Sequence, residues 1–146
     1  KKRKKSARIG MQRYKEKNQR KEEEMYRVVT MYGTDEPWWF FDGWKEDIVS
    51  VDEFDDFYKA LKYYKKEWFE MAENFKEFTS KSGLQTAFWK NGDEEWCEDC
   101  VGYLQRYHSI ALLEDWHAIP LEKKRSGYSK KSGELPERFC SMKTEN

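Results

Sequence analysis

Between Met25 and Ile119 the apolar positions keep a readable rhythm, and outside that span they lose it. Tyr26–Tyr32 (YRVVTMY) is β-branched and aromatic and stops at Gly33, which predicts a strand. Gly33-Thr34-Asp35-Glu36-Pro37 is a turn cluster. Trp38–Phe41 predicts a second short strand, closed by the hairpin signal Asp42-Gly43. Trp44–Val51 predicts a third. Ser50-Val51-Asp52-Glu53 matches a capping box at a helix start. Phe54, Phe57, Leu61, Tyr64, Trp68, Met71, Phe75 and Phe78 then step by threes and fours, the face of one long amphipathic helix of about seven turns. Packing of that face onto a sheet is preferred to a coiled coil, because Tyr58, Tyr63 and Phe69 widen it and no flanking charge pattern is sustained.

Ser82-Gly83 breaks the helix, and Leu84–Trp89 (LQTAFW) predicts a strand. Asn91-Gly92-Asp93 turns the chain, with Asp93 as a helix N-cap. Trp96, Cys97, Cys100, Val101, Leu104 and Tyr107 then mark a second, shorter helix. Ser109–Leu113 and Trp116–Ile119 flank Glu114-Asp115 as a final hairpin. The expected class is α+β: a mostly antiparallel sheet with both helices packed on it.

Composition sharpens this picture in one respect. Of 146 residues, 38% are charged, and Leu, Ile, Val and Phe together number only 25. Trp, Tyr and Phe also number 25, and large rings replace aliphatic side chains in area buried. The zero formal net charge hides a division. Residues 25–119 hold 10 basic and 20 acidic side chains, whereas residues 1–24 hold 11 basic and 4 acidic. The expected organisation is a leader or disordered basic arm over 1–24, a single domain over 25–120 and a loosely ordered basic tail over 121–146. An acidic body repels phosphate backbones, which argues against nucleic-acid binding through it. The apolar runs Trp38–Phe41 and Ile110–Leu113 fall far short of the roughly 20 residues of a membrane span. No secretory signal is present, and three cysteines is an odd number, so the expected location is the reducing cytoplasm.

Candidate chemistry is sparse. No G-x-S-x-G, H-E-x-x-H, P-loop or G-x-G-x-x-G motif occurs, and His108 and His117 are the only histidines. Cys97-Glu98-Asp99-Cys100 near a predicted helix start suits thiol exchange. The surrounding Glu94, Glu95, Glu98 and Asp99 oppose a thiolate, and no βαβ unit precedes the pair. Zinc would need two more ligands, with Cys140, His108 and His117 as the remaining Cys and His candidates. Burial of both thiols in the core is the preferred reading. The run Trp38-Trp39-Phe40-Phe41-Asp42-Gly43-Trp44 is the most distinctive. In a strand one set of rings faces the core, and the other needs a helix, a partner or a ligand to cover it.

Four segments, Met25–Gly33, Glu36–Trp44, Phe54–Tyr58 and Trp96–Cys100, resemble the small bacterial proteins grouped as the domain-of-unknown-function 1033 family. The resemblance runs from Met25 to about Pro120 and more loosely into the tail. It implies a cytoplasmic bacterial protein, so the basic run Lys1–Lys5, which could otherwise be read as a nuclear-targeting arm, has little claim to that role, and it brings no activity, cofactor or catalytic residue. The leading expectation is therefore a non-enzymatic protein-binding or regulatory domain that holds a protein partner on Trp38, Trp39, Phe40, Phe41 and Trp44. The alternative is a thiol-redox or zinc protein using Cys97 and Cys100, and a weaker one is nucleic-acid contact through Lys123–Lys131. One further expectation concerns residues 1–24. Lys21-Glu22-Glu23-Glu24 has permitted codons that spell a ribosome-binding sequence just before an ATG at Met25. Sequencing the gene checks this: a purine-rich AAGGAGG there supports a translated leader, and its absence removes the case.

Overall fold

The computed structural model describes residues 25–132. The leader reading of residues 1–24 and the outer part of the tail, including Cys140, lie outside the described residues. Nine strands and one α-helix make the described chain an antiparallel sheet with a helix on one face. The strands are β1 (Tyr26–Gly33), β2 (Ile48–Phe54), β3 (Glu77–Lys81), β4 (Gln85–Trp89), β5 (Glu94–Cys97), β6 (Gly102–Gln105), β7 (Tyr107–Glu114), β8 (His117–Ala118) and β9 (Lys130–Lys131). The main sheet runs β2-β1-β7-β4-β3-β9, and β8 adds to the end of β7. Every pairing is antiparallel. The strands at Tyr26–Gly33 and Gln85–Trp89 and the closing hairpin stand where the sequence pattern puts them.

Helix α1 spans Phe57–Asn74, 18 residues, so it has about five turns rather than seven. Its N-cap is Asp56, whose carboxylate accepts the Lys59 N–H at 3.0 Å. Ser50 of the expected capping box sits instead in β2 opposite Thr30, and the two hydroxyls are hydrogen-bonded. At the other end Phe75 turns extended, and Asn74 Nδ2 donates to the Glu70 carbonyl. Phe54, Phe75 and Phe78 leave the helix but still face the same core. The second helix expected over Trp96–Tyr107 is absent. Trp96 pairs with Tyr103 and Cys97 with Gly102 in a two-stranded hairpin outside the main sheet. Its turn needs Val101 at φ 50, and six positions stepping by threes and ones are too few to separate a hairpin from a helix.

Tyr26, Val28, Ile110, Leu112, Phe78 and Phe88 alternate onto the face that meets Phe57, Ala60, Tyr64 and Trp68 of α1. Trp68 is fully buried at the centre, edge-on to Phe78, Phe88 and Tyr128. Its indole N–H donates to Ser80 Oγ at 3.2 Å and Thr86 Oγ1 at 3.0 Å. The Tyr64 hydroxyl shares a 2.8 Å hydrogen bond with the same Thr86 Oγ1. A buried ring with a polar atom is stable only if that atom finds a partner, and Ser80 and Thr86 pair across β3 and β4 to supply it.

The opposite face carries Val29, Ala111 and Leu113 with Met31, Ile48, Trp44 and Trp116. It is also covered: Gln85 Nε2 reaches the Pro37 carbonyl at 3.5 Å, and Lys81 Nζ lies 4.2 Å from the Trp38 ring centre. The chain after Pro120 continues as 3-10 turns at Leu121–Lys123 and Ser126–Tyr128 before β9 pairs with β3. Lys123 Nζ donates to Tyr26 Oη at 2.9 Å and Glu114 Oε1 at 3.0 Å. No helix among the described residues is long and apolar enough to cross a membrane.

Trp68→Ala removes the central ring and should cost about 3–5 kcal/mol of stability. Thr86→Val keeps the volume but takes the acceptor from Tyr64 and one of the two from Trp68, at about 1–3 kcal/mol. Urea unfolding followed by tryptophan emission measures both. A Thr86→Val midpoint equal to that of the parent protein would contradict this account of the core.

Candidate functional site

The chain between β1 and β2 is built from residues that cannot all be buried. Gly33 opens it, and a Cβ there would overlap the Asp47 carboxylate, which would have to turn aside. Gly43 lies at φ 82 and caps the 3-10 turn Trp44–Asp47, again a left-handed position. Residues 38–41 form no strand, and the strict alternation expected of them does not hold. A loop, not a pleat, divides the rings. Trp38 rests under Lys81, and Trp44 packs with the second cluster, 6.3 Å from Trp116. Trp39, Phe40 and Phe41 stay 49%, 40% and 54% exposed.

Trp116 anchors the base of this loop. It has φ 101, a costly backbone for an indole residue, and its ring lies 4.6 Å from the Arg27 guanidinium and 4.4 Å from Lys45 Nζ. The exposed rings are ordered among themselves. Trp39 and Phe41 stack at 5.7 Å and 10°, and Phe40 meets Trp44 edge-on at 5.1 Å. Trp39 Nε1 donates to Glu36 at 3.1 Å. Beside them an open depression of about 440 Å³ runs from Phe40 and Phe41 past Trp44 to Lys45 and Glu46. Asp35, Glu36, Asp42, Glu46 and Asp47 give the loop five carboxylates against one Lys45. The crowding shows in Asp47, whose pKa is raised by burial and then by Asp35, Glu46 and Glu95.

The thiols lie in the β5–β6 turn. Both are free, Cys97 half-buried and Cys100 exposed, so neither is core. Cys97 Sγ accepts the Cys100 N–H at 3.2 Å. Hydrogen bonds from the Cys100 thiol and then from the Cys100 and Asp99 amides hold Cys97 below the usual thiol pKa; the same thiol contact pushes Cys100 up. The Cys100 thiol first, and then turn amides, supply this support in place of the expected helix dipole. His108 is elsewhere, in β7, between the rings of Tyr32 (4.4 Å) and Phe75 (4.8 Å). His117 is in β8. Among the described residues no group of three or more His, Cys, Asp or Glu could hold a metal ion.

Sequence reasoning missed a polar junction that fixes the hairpin to the sheet. Tyr32 Oη donates to Asp93 at 2.9–3.0 Å, Arg106 N donates to the Asp93 carbonyl at 2.8 Å, and Gln105 Nε2 reaches the Lys90, Asp93 and Arg106 carbonyls. Arg106 Nε and His108 Nε2 stand 3.8 Å from the Asp93 carboxylate. The only signal was Asp93 itself, which reads as a cap after Asn91-Gly92 but anchors a hairpin instead.

A family model described as "Protein of unknown function (DUF1033)" matches residues 25–142. No curated protein and no solved structure matches the chain.

Burial lowers the His108 pKa beneath its ordinary 6.5, and Asp93 opposes this only in part. The fold thus prefers the neutral ring. Its contribution to stability is full above pH 6.5 and declines as pH falls through that value towards the folded pKa. Proton NMR of the His108 ring should give a midpoint below 6.5, and Phe75→Ala, which uncovers the ring, should bring it back up. A midpoint above 6.5 would mean that Asp93 dominates.

Proposed function

The chain belongs to the DUF1033 family, and we propose that it is a bacterial, cytoplasmic, non-enzymatic binding domain that holds a cationic segment of a protein partner on Trp39, Phe40 and Phe41. The observation that carries this reading is the division of the aromatic loop: Trp38 and Trp44 are seated on the sheet, and three neighbouring rings are left in water. Exposed rings in one patch are a usual mark of an interaction surface. Five carboxylates around them favour a lysine- or arginine-bearing partner, whose cations also bind ring faces. The loop already stacks cations on indoles at Trp38 and Trp116. Anchoring by Trp116 and Gly43 lowers the ordering cost of binding.

Two observations weigh against a nucleic-acid role and an enzymatic one. The basic stretch Lys123–Lys131 begins with a lysine already held by Tyr26 and Glu114, which weakens a nucleic-acid role there. No cluster of acid, base and nucleophile converges on the depression beside the loop, which is lined by Phe40–Glu46.

Titrating the protein with a lysine- and arginine-rich decapeptide, followed by tryptophan emission, tests the proposal. Binding should weaken as salt rises. Trp39→Ala should lower affinity roughly 2- to 30-fold, the range of one cation–ring contact. Tyr58→Ala, which removes an exposed ring on α1, should leave it unchanged. Equal binding of an acidic decapeptide, or a Trp39→Ala, Phe41→Ala double variant that binds like the parent, would overturn it.

A further inference from the structure

The β5–β6 hairpin stands apart from the main sheet and pairs only with itself. A two-stranded ribbon is marginal on its own in water, so its tip calls for a further tie. Asp93, Tyr32 and Gln105 fix the base, as described above. At the tip, Val101 N–H bonds back to the Glu98 carbonyl at 3.3 Å, and Val101 is 75% exposed. Leu104 is exposed as well.

Register places the chemistry. Cys97 lies opposite Gly102, and Glu95 lies opposite Leu104 on the same side of the ribbon; Trp96 and Tyr103 occupy the other side. Glycine opposite Cys97 leaves that side open to approach: a Cβ at Gly102 would meet only the Cys100 carbonyl, at 3.8 Å. The Glu98 carboxylate is drawn off by Trp96 Nε1 at 2.9 Å. Two sulfurs share one tight turn, with a backbone N–H on the first, so both can turn to one ion. The C-x-x-C spacing is the one that structural zinc sites use, and such sites take four nitrogen or sulfur ligands. The described part of the chain offers two here, because His108 is held between Tyr32 and Phe75.

We propose that the tip of the β5–β6 hairpin is half of a zinc site, completed by the same hairpin of a second copy. Cys97 and Cys100 of both copies surround one zinc ion in a tetrahedron of sulfurs, with Val101 and Leu104 covering it. Each thiol releases its proton to solvent as its sulfur binds, so four protons leave for one zinc. Glu94, Glu95 and Asp99 make two metal-free tips repel each other, so the ion is what joins them. This holds whatever binds the aromatic loop.

The full chain, reduced and stripped with a chelator, is titrated with zinc and separately with cobalt as a coloured probe. Light scattering reads the mass, and elemental analysis reads the metal. The expected result is a doubled mass at one metal for two chains, with the intense visible bands of tetrahedral cobalt thiolate. Cys97→Ser and Cys100→Ser should each abolish both, with unchanged circular dichroism showing the fold intact. Cys140→Ser should change neither. No uptake, one metal per chain at unchanged mass, or loss of uptake in Cys140→Ser would each overturn the proposal.

Discussion

The Trp68 indole is the constraint on which the fold rests. A chain this rich in charge has few aliphatic side chains, so the space between helix and sheet is filled with rings. Rings bring polar atoms with them. Trp68 and Tyr64 each carry a donor into a dry interior, where an unmatched one would cost as much as a good packing contact provides. Ser80 and Thr86, paired across two strands, answer both donors from a single register. A slip of one residue between β3 and β4 would turn these hydroxyls to the other face and leave both rings unsatisfied. The hydroxyl pair thus fixes strand register as well as core composition.

A sheet with one helix has a second face to hide, and here a loop covers it. Pro37, Trp38, Trp44 and Trp116 lie on the side away from α1. The cost is visible at Trp116, held in a left-handed backbone so that its ring can sit between Arg27 and Lys45. A loop has no pleat to alternate its side chains. Once Trp38 and Trp44 are seated, the residues between them have nowhere else to go, and Trp39 and Phe41 meet the solvent by stacking on each other. The exposed patch is therefore a consequence of covering the sheet with so short a segment.

These two facts explain which parts of the fold were legible. Strands β1, β4 and β7 have β-branched or aromatic runs bounded by turn residues, and a single sequence carries that signal well. The helix was legible in its middle, from Phe57 to Met71, but not at its ends. Phe54 and Phe78 belong to strands that face the same core as the helix, so they prolong its spacing by accident. Cys97, Cys100, Val101 and Leu104 mislead in the same way: steps of three and one fit a turn between two short strands as readily as a helical face. The aromatic platform was found by its residues and misread in its geometry, because Trp38 and Trp44 are seated by Lys81 and Trp116, contacts distant along the chain. The Tyr32–Asp93–Arg106 junction was illegible for the same reason, since its members join three separate elements.

That junction also ties the two candidate surfaces together. Consecutive residues at the end of β1 serve both: Tyr32 binds Asp93 at the base of the thiol hairpin, and Gly33 packs under Asp47 at the base of the aromatic loop. The coupling is electrostatic too, because Glu95 of the hairpin is among the charges that raise the Asp47 pKa. Negative charge from two elements therefore meets at Asp47. Part of the body's acidity, spread along the chain, is thus brought together in three dimensions at the base of the aromatic loop.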